Sequence, residues 1–310
     1  MPRVSVIIPS YNCARFIDRA LQSVLDQTYS DYEIIVVDDG SSDETREVVM
    51  RYGSEIRYMY QRNRGLSAAR NYALGAATGE LIAYLDADDA WYPTKLEKQV
   101  AFLDANPRCG FVHSDVDVLD DRDQVVRRNF NRETGRLVPI GKCMLALLER
   151  CHVQILTVLI RHDIVRKVGY FDERLIGVQD YLQWILAAME GAELGYIDES
   201  LALYRWTKGS LSSNEKRNTA DLMRMFNILL EEKDIDGRCG PGAVHIVRNR
   251  LYSLGRDLAY LERIGGEGGH ARRRLIGLIK AWPFRLDLYV DLIKACVLSG
   301  LPAQQRSPEA

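Results

Sequence analysis

Four short apolar runs recur at the start of the chain, at residues 4–9 (VSVIIP), 33–37 (EIIVV), 56–60 (IRYMY) and 81–85 (LIAYL). Each is followed by a polar turn and then by a helix-length segment. Residues 14–27 put Phe16, Ala20, Leu21, Val24 and Leu25 on one helical face, residues 44–52 form a helix that Ser42 or Asp43 caps, and residues 67–77 form a third helix. The runs are continuously apolar rather than alternating, so both faces of the sheet they make must be covered. Strand alternating with helix in this way predicts a mostly parallel, Rossmann-like α/β sheet with helices on both faces. Open parallel sheets bind ligands beyond the carboxyl ends of their strands. At those ends this chain places Pro9-Ser10-Tyr11, Asp38-Asp39-Gly40 and Asp86-Ala87-Asp88.

The pattern continues with a helix at 95–107 and a strand at 110–118. A polar stretch at 119–136 reads as a hairpin or loop. Helices near 140–150 and 180–190 bracket the strand-like ILTVLIR, and residues 216–310 read as mostly helical. The expected division is 1–115, 116–215 and a helical C-terminal region at 216–310. With 41 Lys+Arg against 43 Asp+Glu, the net charge of -2 gives no basic excess for nucleic acid. Six cysteines form no CxxC pair and no zinc spacing, which reads as reduced thiols in a cytoplasmic protein. The five histidines are likewise ungrouped. A strand pattern starts at residue 4, so no signal peptide is expected, and no apolar run approaches the ~20 residues that span a bilayer.

Asp86, Asp88 and Asp89 lie within four residues at one strand tip. Like charges that close repel. A hard divalent cation, Mn2+ or Mg2+, relieves the repulsion and takes oxygen ligands from one or two carboxylates plus phosphate and water. The alternative is that these aspartates only cap the turn and the next helix. For Asp38-Asp39, a carboxylate suits the imide N–H of uracil or a ribose hydroxyl; an Asx-type turn is the alternative.

The ordered set V-S-V-I-I-P-S-Y-N, L-x-S-V-L-x-Q-T-Y, I-I-V-V-D-D-G-S-x-D, N-R-G-L-S-x-A-R-N and Y-L-D-A-D-D, from Val4 to about Pro93, resembles family-2 inverting glycosyltransferases of the GT-A fold. Weaker similarity extends to about Ser212. The resemblance implies a nucleotide-diphosphate sugar donor, most often a UDP-sugar. Pro9 and Tyr11 would line the nucleobase and ribose pocket, Tyr11 by stacking. Asp39 would bond the uracil with Asp38 alongside. Asp86 and Asp88 would form the D-x-D motif, Asp86 near ribose or sugar and Asp88 on the metal, both close to the ion. Arg64 would touch phosphate or be a solvated loop arginine, while Arg70 and Asn71 would brace the acidic loops.

Inverting transfer needs a base for the acceptor hydroxyl. The family carries it as an Asp at a helix start, which matches Asp180 in GVQDYLQW; helix capping is the alternative. The Glu usual before it is Gln179 here. Downstream, YRWTKGSLS resembles Y-R-x-H-x-x-S-x-S with Thr207 in place of His, which leaves Arg205 or Lys208 to neutralise a leaving diphosphate. The acceptor implied is a saccharide or a lipid-linked glycan.

The segment from Gly240 has eleven Arg/Lys against six Asp/Glu. Its Arg272–Arg274 cluster, apolar spacing and Trp282 suit a helix on an anionic membrane surface, hence a cytoplasmic protein peripheral to the inner face. Packing on the catalytic domain and a homodimer contact are the alternatives. Two other functions share parts of the pattern: a non-catalytic nucleotide-sugar-binding module, and a haloacid-dehalogenase-like phosphatase, whose strand-D-x-D resembles LIAYLDADD but normally follows the first strand.

Overall fold

The computed structural model describes residues 1–135, 140–207, 213–232 and 234–297. It divides into two units, Met1–Ser210 and Leu211–Ala310. The first opens with β1 (Val4–Ser10), α1 (Ile17–Leu25), β2 (Tyr32–Asp38), α2 (Thr45–Met50), β3 (Ile56–Tyr60), α3 (Leu66–Ala76) and β4 (Leu81–Tyr84). The strands pair in parallel, in the order β3-β2-β1-β4. Every residue of β1 and β4 is buried, as continuous apolar runs require. On one face Ile17, Ala20, Leu21 and Val24 of α1 pack with Val4, Val6, Ile8, Ile34 and Val36. The alternate residues Ile7, Ile35 and Val37 are equally buried, and α3 packs on β1 and β2, where Ala69 and Ala73 allow close approach.

The second half of this unit holds β5 (Ala90–Trp91), α4 (Lys95–Ala105), β6 (Cys109–Leu119), β7 (Val125–Arg127), α5 (Phe130–Glu133), α6 (Met144–Glu149), β8 (Leu159–Arg161), α7 (His162–Val168), α8 (Gln179–Met189) and β9 (Glu193–Arg205). The sheet continues β4-β8-β6-β9-β5, with β7 on β6. Here parallelism gives way to a mixture: β8 runs antiparallel to β4 and β6, β5 antiparallel to β9, and only β6 and β9 run parallel. The polar stretch after β6 is a hairpin into β7, a return that needs no helical crossover.

Strand β9 carries no clear period in the sequence. Its register against β6 shifts around Asp115, so that Ile197 and Ser200 pair with consecutive partners and Asp198 and Glu199 bulge out. A bulge resets the inside-outside alternation, which is why this strand is invisible to pattern reading.

The second unit is helical: α9 (Glu215–Glu232), α10 (Ile235–Cys239), α11 (Ala243–Ile264), α12 (Gly268–Ala281) and α13 (Leu286–Val297). Tyr252, Ala259, Ala271, Leu275, Leu278, Leu288 and Ala295 form its core. The six cysteines are thiols, none of them in a disulfide. No described helix is long and apolar enough to cross a membrane.

Candidate active site

The carboxyl ends of β1, β2 and β4 are adjacent, and the loops leaving them are tied together. Asn12 adopts a left-handed φ of 51°; its N–H donates to Ser41 Oγ (2.9 Å) and its Oδ1 accepts from the Ser42 N–H (2.8 Å). The Cys13 N–H donates to Thr45 Oγ1 (2.9 Å) and the Ala14 N–H to Asp43 Oδ2 (3.0 Å). Asp43 therefore serves both the following helix and the neighbouring loop. Pro9 lies buried in β1, while Tyr11 stands half exposed at the tip. Burial pushes the Cys13 thiol up to about 11, with the nearby Asp88, Asp43 and Asp86 carboxylates adding to the shift. This thiol is inert at neutral pH and marks how closely the β1 and β4 loops approach.

At the β2 tip both aspartates are buried and heavily hydrogen-bonded. Asp38 accepts from the Ser41 N–H (2.8 Å) and the Tyr58 hydroxyl (2.7 Å). Asp39 accepts from Gln61 Nε2 (2.7 Å), the Arg64 N–H (2.8 Å) and the Gly65 N–H (2.8 Å). Gly40, at φ 80°, is needed here: a Cβ would stand 2.8 Å from the Asn63 nitrogen. The carboxylate of Asp39 thus holds the 61–65 loop in place. The Arg64 side chain is exposed and pairs with Glu173 (3.2 Å).

The β4 tip differs. Asp86 pairs with Arg70 of α3 (2.5 Å), whose guanidinium is almost wholly buried. Asp88 is partly exposed, and no described basic side chain forms an ion pair with it; burial and the Asp86 charge push its carboxyl up to about 6. Asp89 is buried, accepts from the Arg205 N–H (2.7 Å), and is held well above the usual carboxylate range by burial and by Asp88 and Asp86. It is a loop anchor. The Arg205 side chain is also a brace: Nε donates to the Asp88 carbonyl (2.8 Å), Nη1 to the Asp120 carbonyl (2.7 Å) and Nη2 to Asp123, with the guanidinium 4.6 Å from the Phe16 ring centre. Its side chain is almost wholly buried among these contacts. Lys208 lies outside the described residues.

Asp180 occupies the first turn of α8. Burial raises its carboxyl to about 6; the Arg70 charge and the Tyr181 N–H oppose that rise, and Asp86 adds to it. One buried arginine therefore acts on both the D-x-D loop and the helix carrying Asp180. The α3 motif secures this arrangement through a polar stripe spaced for one helical face. Ser67 Oγ donates to the Leu175 carbonyl (3.0 Å). Asn71 accepts from the Phe171 N–H (2.9 Å) and donates to the Phe171 carbonyl (2.9 Å). Ser67, Arg70 and Asn71 fasten the loop before α8 to the parallel half of the sheet unit; their i, i+3, i+4 spacing was the available signal.

Among the described residues no three acidic, His or Cys side chains form a ready metal cage. The donor set fits a different kind of site: a partly exposed carboxylate without a cationic partner, beside a second carboxylate, suits a divalent ion that takes its remaining oxygens from phosphate and water.

An α/β sheet with carboxylates gathered at its carboxyl edge has the layout of the nucleotide-binding α/β folds. Residues 5–162 match Glycosyl transferase family 2. Over 231 residues, 73% of this chain and 85% of the relative, it is 32% identical to the UDP-Glc:alpha-D-GlcNAc-diphosphoundecaprenol beta-1,3-glucosyltransferase WfgD of Escherichia coli. The chain belongs to glycosyl transferase family 2. It is also 42% identical over 128 residues to an uncharacterized glycosyltransferase of Nostoc sp., where the match covers 40% of this chain and 39% of that protein. The fold is that of S. aureus TarS 1-349 in complex with UDP-GlcNAc (TM-score 0.66, 20% identity, 96% of this chain and 89% of that one). It is shared too by the mannosyltransferase PcManGT from Pyrobaculum calidifontis in complex with GDP-Man and Mn2+ (TM-score 0.62, 21% identity, 96% and 87%). This is the GT-A architecture, and the phosphatase alternative falls with it.

Proposed function

We propose that the chain transfers a sugar from a nucleotide-diphosphate sugar, a UDP-sugar first, to a hydroxyl of a saccharide or lipid-linked glycan, with inversion at the anomeric carbon. The observation that carries this is the gathering of Asp88, Asp86, Arg70 and Asp180 at the carboxyl edge of the sheet, with no described basic side chain in an ion pair with Asp88. WfgD is named for a UDP-glucose donor and a diphosphoundecaprenol-linked acceptor, and TarS was solved with UDP-GlcNAc. Both support the choice of donor, and WfgD supports that of acceptor.

In this reading residues 1–115 hold the donor, residues 116–215 the acceptor, and 216–310 form a helical extension. Tyr11 stacks on the base over Pro9. Asp39, already holding the 61–65 loop, accepts the uracil imide proton with a remaining lone pair, and Asp38 keeps the turn in shape. Arg64 leaves Glu173 for phosphate. Asp88, with Asp86 beside it, holds Mn2+ or Mg2+, which when bound neutralises charge growing on the diphosphate. Arg70 fixes Asp86. Asp180 takes the proton of the acceptor hydroxyl as that oxygen bonds to the anomeric carbon; the bond to the diphosphate breaks on the opposite face, and its electron pair leaves with the nucleotide. A carboxyl held near 6 is ionised at neutral pH yet more basic than an ordinary aspartate, which suits this role.

Thermal stabilisation by UDP, dTDP and GDP and their sugars, each with Mn2+, Mg2+ or EDTA, tests the reading. A metal-dependent shift selective for one nucleotide is expected. No shift with any of them overturns it.

A further inference from the structure

Helix α13 is built inside out. Its two acids, the only ones between residues 268 and 297, point toward the helical unit. Arg256 of α11 donates to Asp287 (2.6 Å) and Asp291 (2.8 Å), and the Tyr252 hydroxyl also donates to Asp287. Leu288 and Ala295 are buried beside them. The opposite side is apolar and faces water: Leu286 is 77% exposed, Val290 50% and Ile293 62%, an i, i+4, i+7 stripe, and Phe284 in the preceding turn is 93% exposed. A helix that pairs its acids inward and presents large aliphatic side chains to solvent marks a surface built for contact.

The neighbouring helix does not share this design. The arginine cluster of α12 is partly used internally, Arg274 being paired with the buried Glu262 (2.6 Å); Leu275 and Leu278 are in the core, and Trp282 packs on the Tyr252 ring. Within the basic, apolar segment that the sequence singles out from Arg272 onward, the open apolar face lies on the second helix, α13, rather than on the one that carries the arginine cluster. Arg273, Lys280 and Lys294 are exposed, and none forms an ion pair with a described carboxylate. With Asp287 and Asp291 paired to Arg256 and Arg285, the exposed Arg273, Lys280 and Lys294 leave the outward charge of α12 and α13 positive.

We propose that the face of α13 bearing Leu286, Val290 and Ile293, together with Phe284, docks on an anionic lipid bilayer. Aliphatic side chains enter the interface, while Lys280, Lys294 and Arg273 meet the headgroups. A second copy of the chain fits less well, because two-fold pairing through α13 sets basic rims of the same sign against each other. This surface is made by residues that take no part in the proposed donor site, and it stands whether or not the transfer reading holds.

The test is flotation of the full chain with phosphatidylcholine vesicles, with and without phosphatidylglycerol, at low and high salt. The chain is expected to float with the anionic vesicles and to lose most binding on neutral lipid or in high salt. A triple variant, Phe284→Ser, Leu286→Ser and Ile293→Ser, should bind at least about tenfold less, since each side chain removed contributes apolar burial. Its helical circular dichroism should be unchanged. Lys280→Glu with Lys294→Glu should lose binding to the anionic vesicles without touching the apolar face. Failure of the wild-type chain to float, or equal flotation of the triple variant, overturns the proposal. So does a wild-type dimer by light scattering that the triple variant turns into a monomer, which would make the face a self-interface.

Discussion

Two strand tips of one sheet carry aspartate pairs, and their surroundings make them different chemical objects. At the end of β2, Asp38 and Asp39 collect five hydrogen bonds from Ser41, Tyr58, Gln61, Arg64 and Gly65. At the end of β4, Asp88 has two carboxylates for neighbours, and its carboxyl is pushed up to about 6. A carboxylate surrounded by N–H and O–H donors is content as an anion and organises the loops that supply them. One left beside other acids destabilises the protein as an anion until a cation arrives. The first kind holds loops in place, and Asp88, of the second kind, is the one proposed above to take a cation. Asp180, half-buried and also near 6, belongs with the second kind.

Substitutions should separate the two kinds. Asp180→Asn is expected to lower kcat by about 10²–10⁴-fold, the usual cost of losing a positioned base, with nucleotide-induced thermal stabilisation unchanged. Wild-type kcat/KM should rise with pH as Asp180 loses its proton and fall about tenfold per unit below that inflection, which lies at about 6 in the metal-free protein and lower where a bound cation offsets the Asp86 charge. A profile flat across this range would break the assignment.

Asp88→Asn should reduce transfer by about 10²–10³-fold and abolish the metal-dependent thermal shift. The same change should raise the metal-free melting temperature at neutral pH. The sign follows from the raised carboxyl: its favourable contribution is complete below the unfolded value near 4 and is lost as pH rises through about 6. The gain, on the order of 1 kcal/mol after allowance for solvent screening, should therefore appear above pH ~6 and vanish near pH ~4.

Asp39→Asn should do the opposite. One oxygen replaces two, so at least one of the Gln61, Arg64 and Gly65 donors loses its acceptor, and stability should fall by about 1–3 kcal/mol in denaturant titration. If Asp39→Asn and Asp88→Asn shift stability in the same direction, the contrast between the tips is wrong. Tyr58→Phe, which removes one donor from Asp38, is the mildest change, about 1 kcal/mol.

Much of this was readable in the linear chain. Buried parallel strands need continuous apolar residues, so β1 to β4 stand out, and ligand-binding groups of such a sheet fall just after each strand, where Tyr11, Asp39, Asp86 and Asp88 are found. Helix α3 was legible as a helix, but the task of its polar stripe was not, since Phe171 and Leu175 lie about a hundred residues away. Strand β9 escaped because its bulge breaks the alternation that pattern reading depends on. Arg205 is one residue in a basic, polar stretch and shows itself as a brace only when Asp88, Asp120 and Asp123 gather around it.

The sequence alone determined which side chains stand at the crevice, because period and strand ends are local properties of the chain. Only the tertiary structure decided which carboxylates are satisfied and which are not, and which face of α13 meets water. Those outcomes depend on donors, cations and apolar neighbours delivered by distant segments, and no local pattern records what the fold will bring beside a given residue.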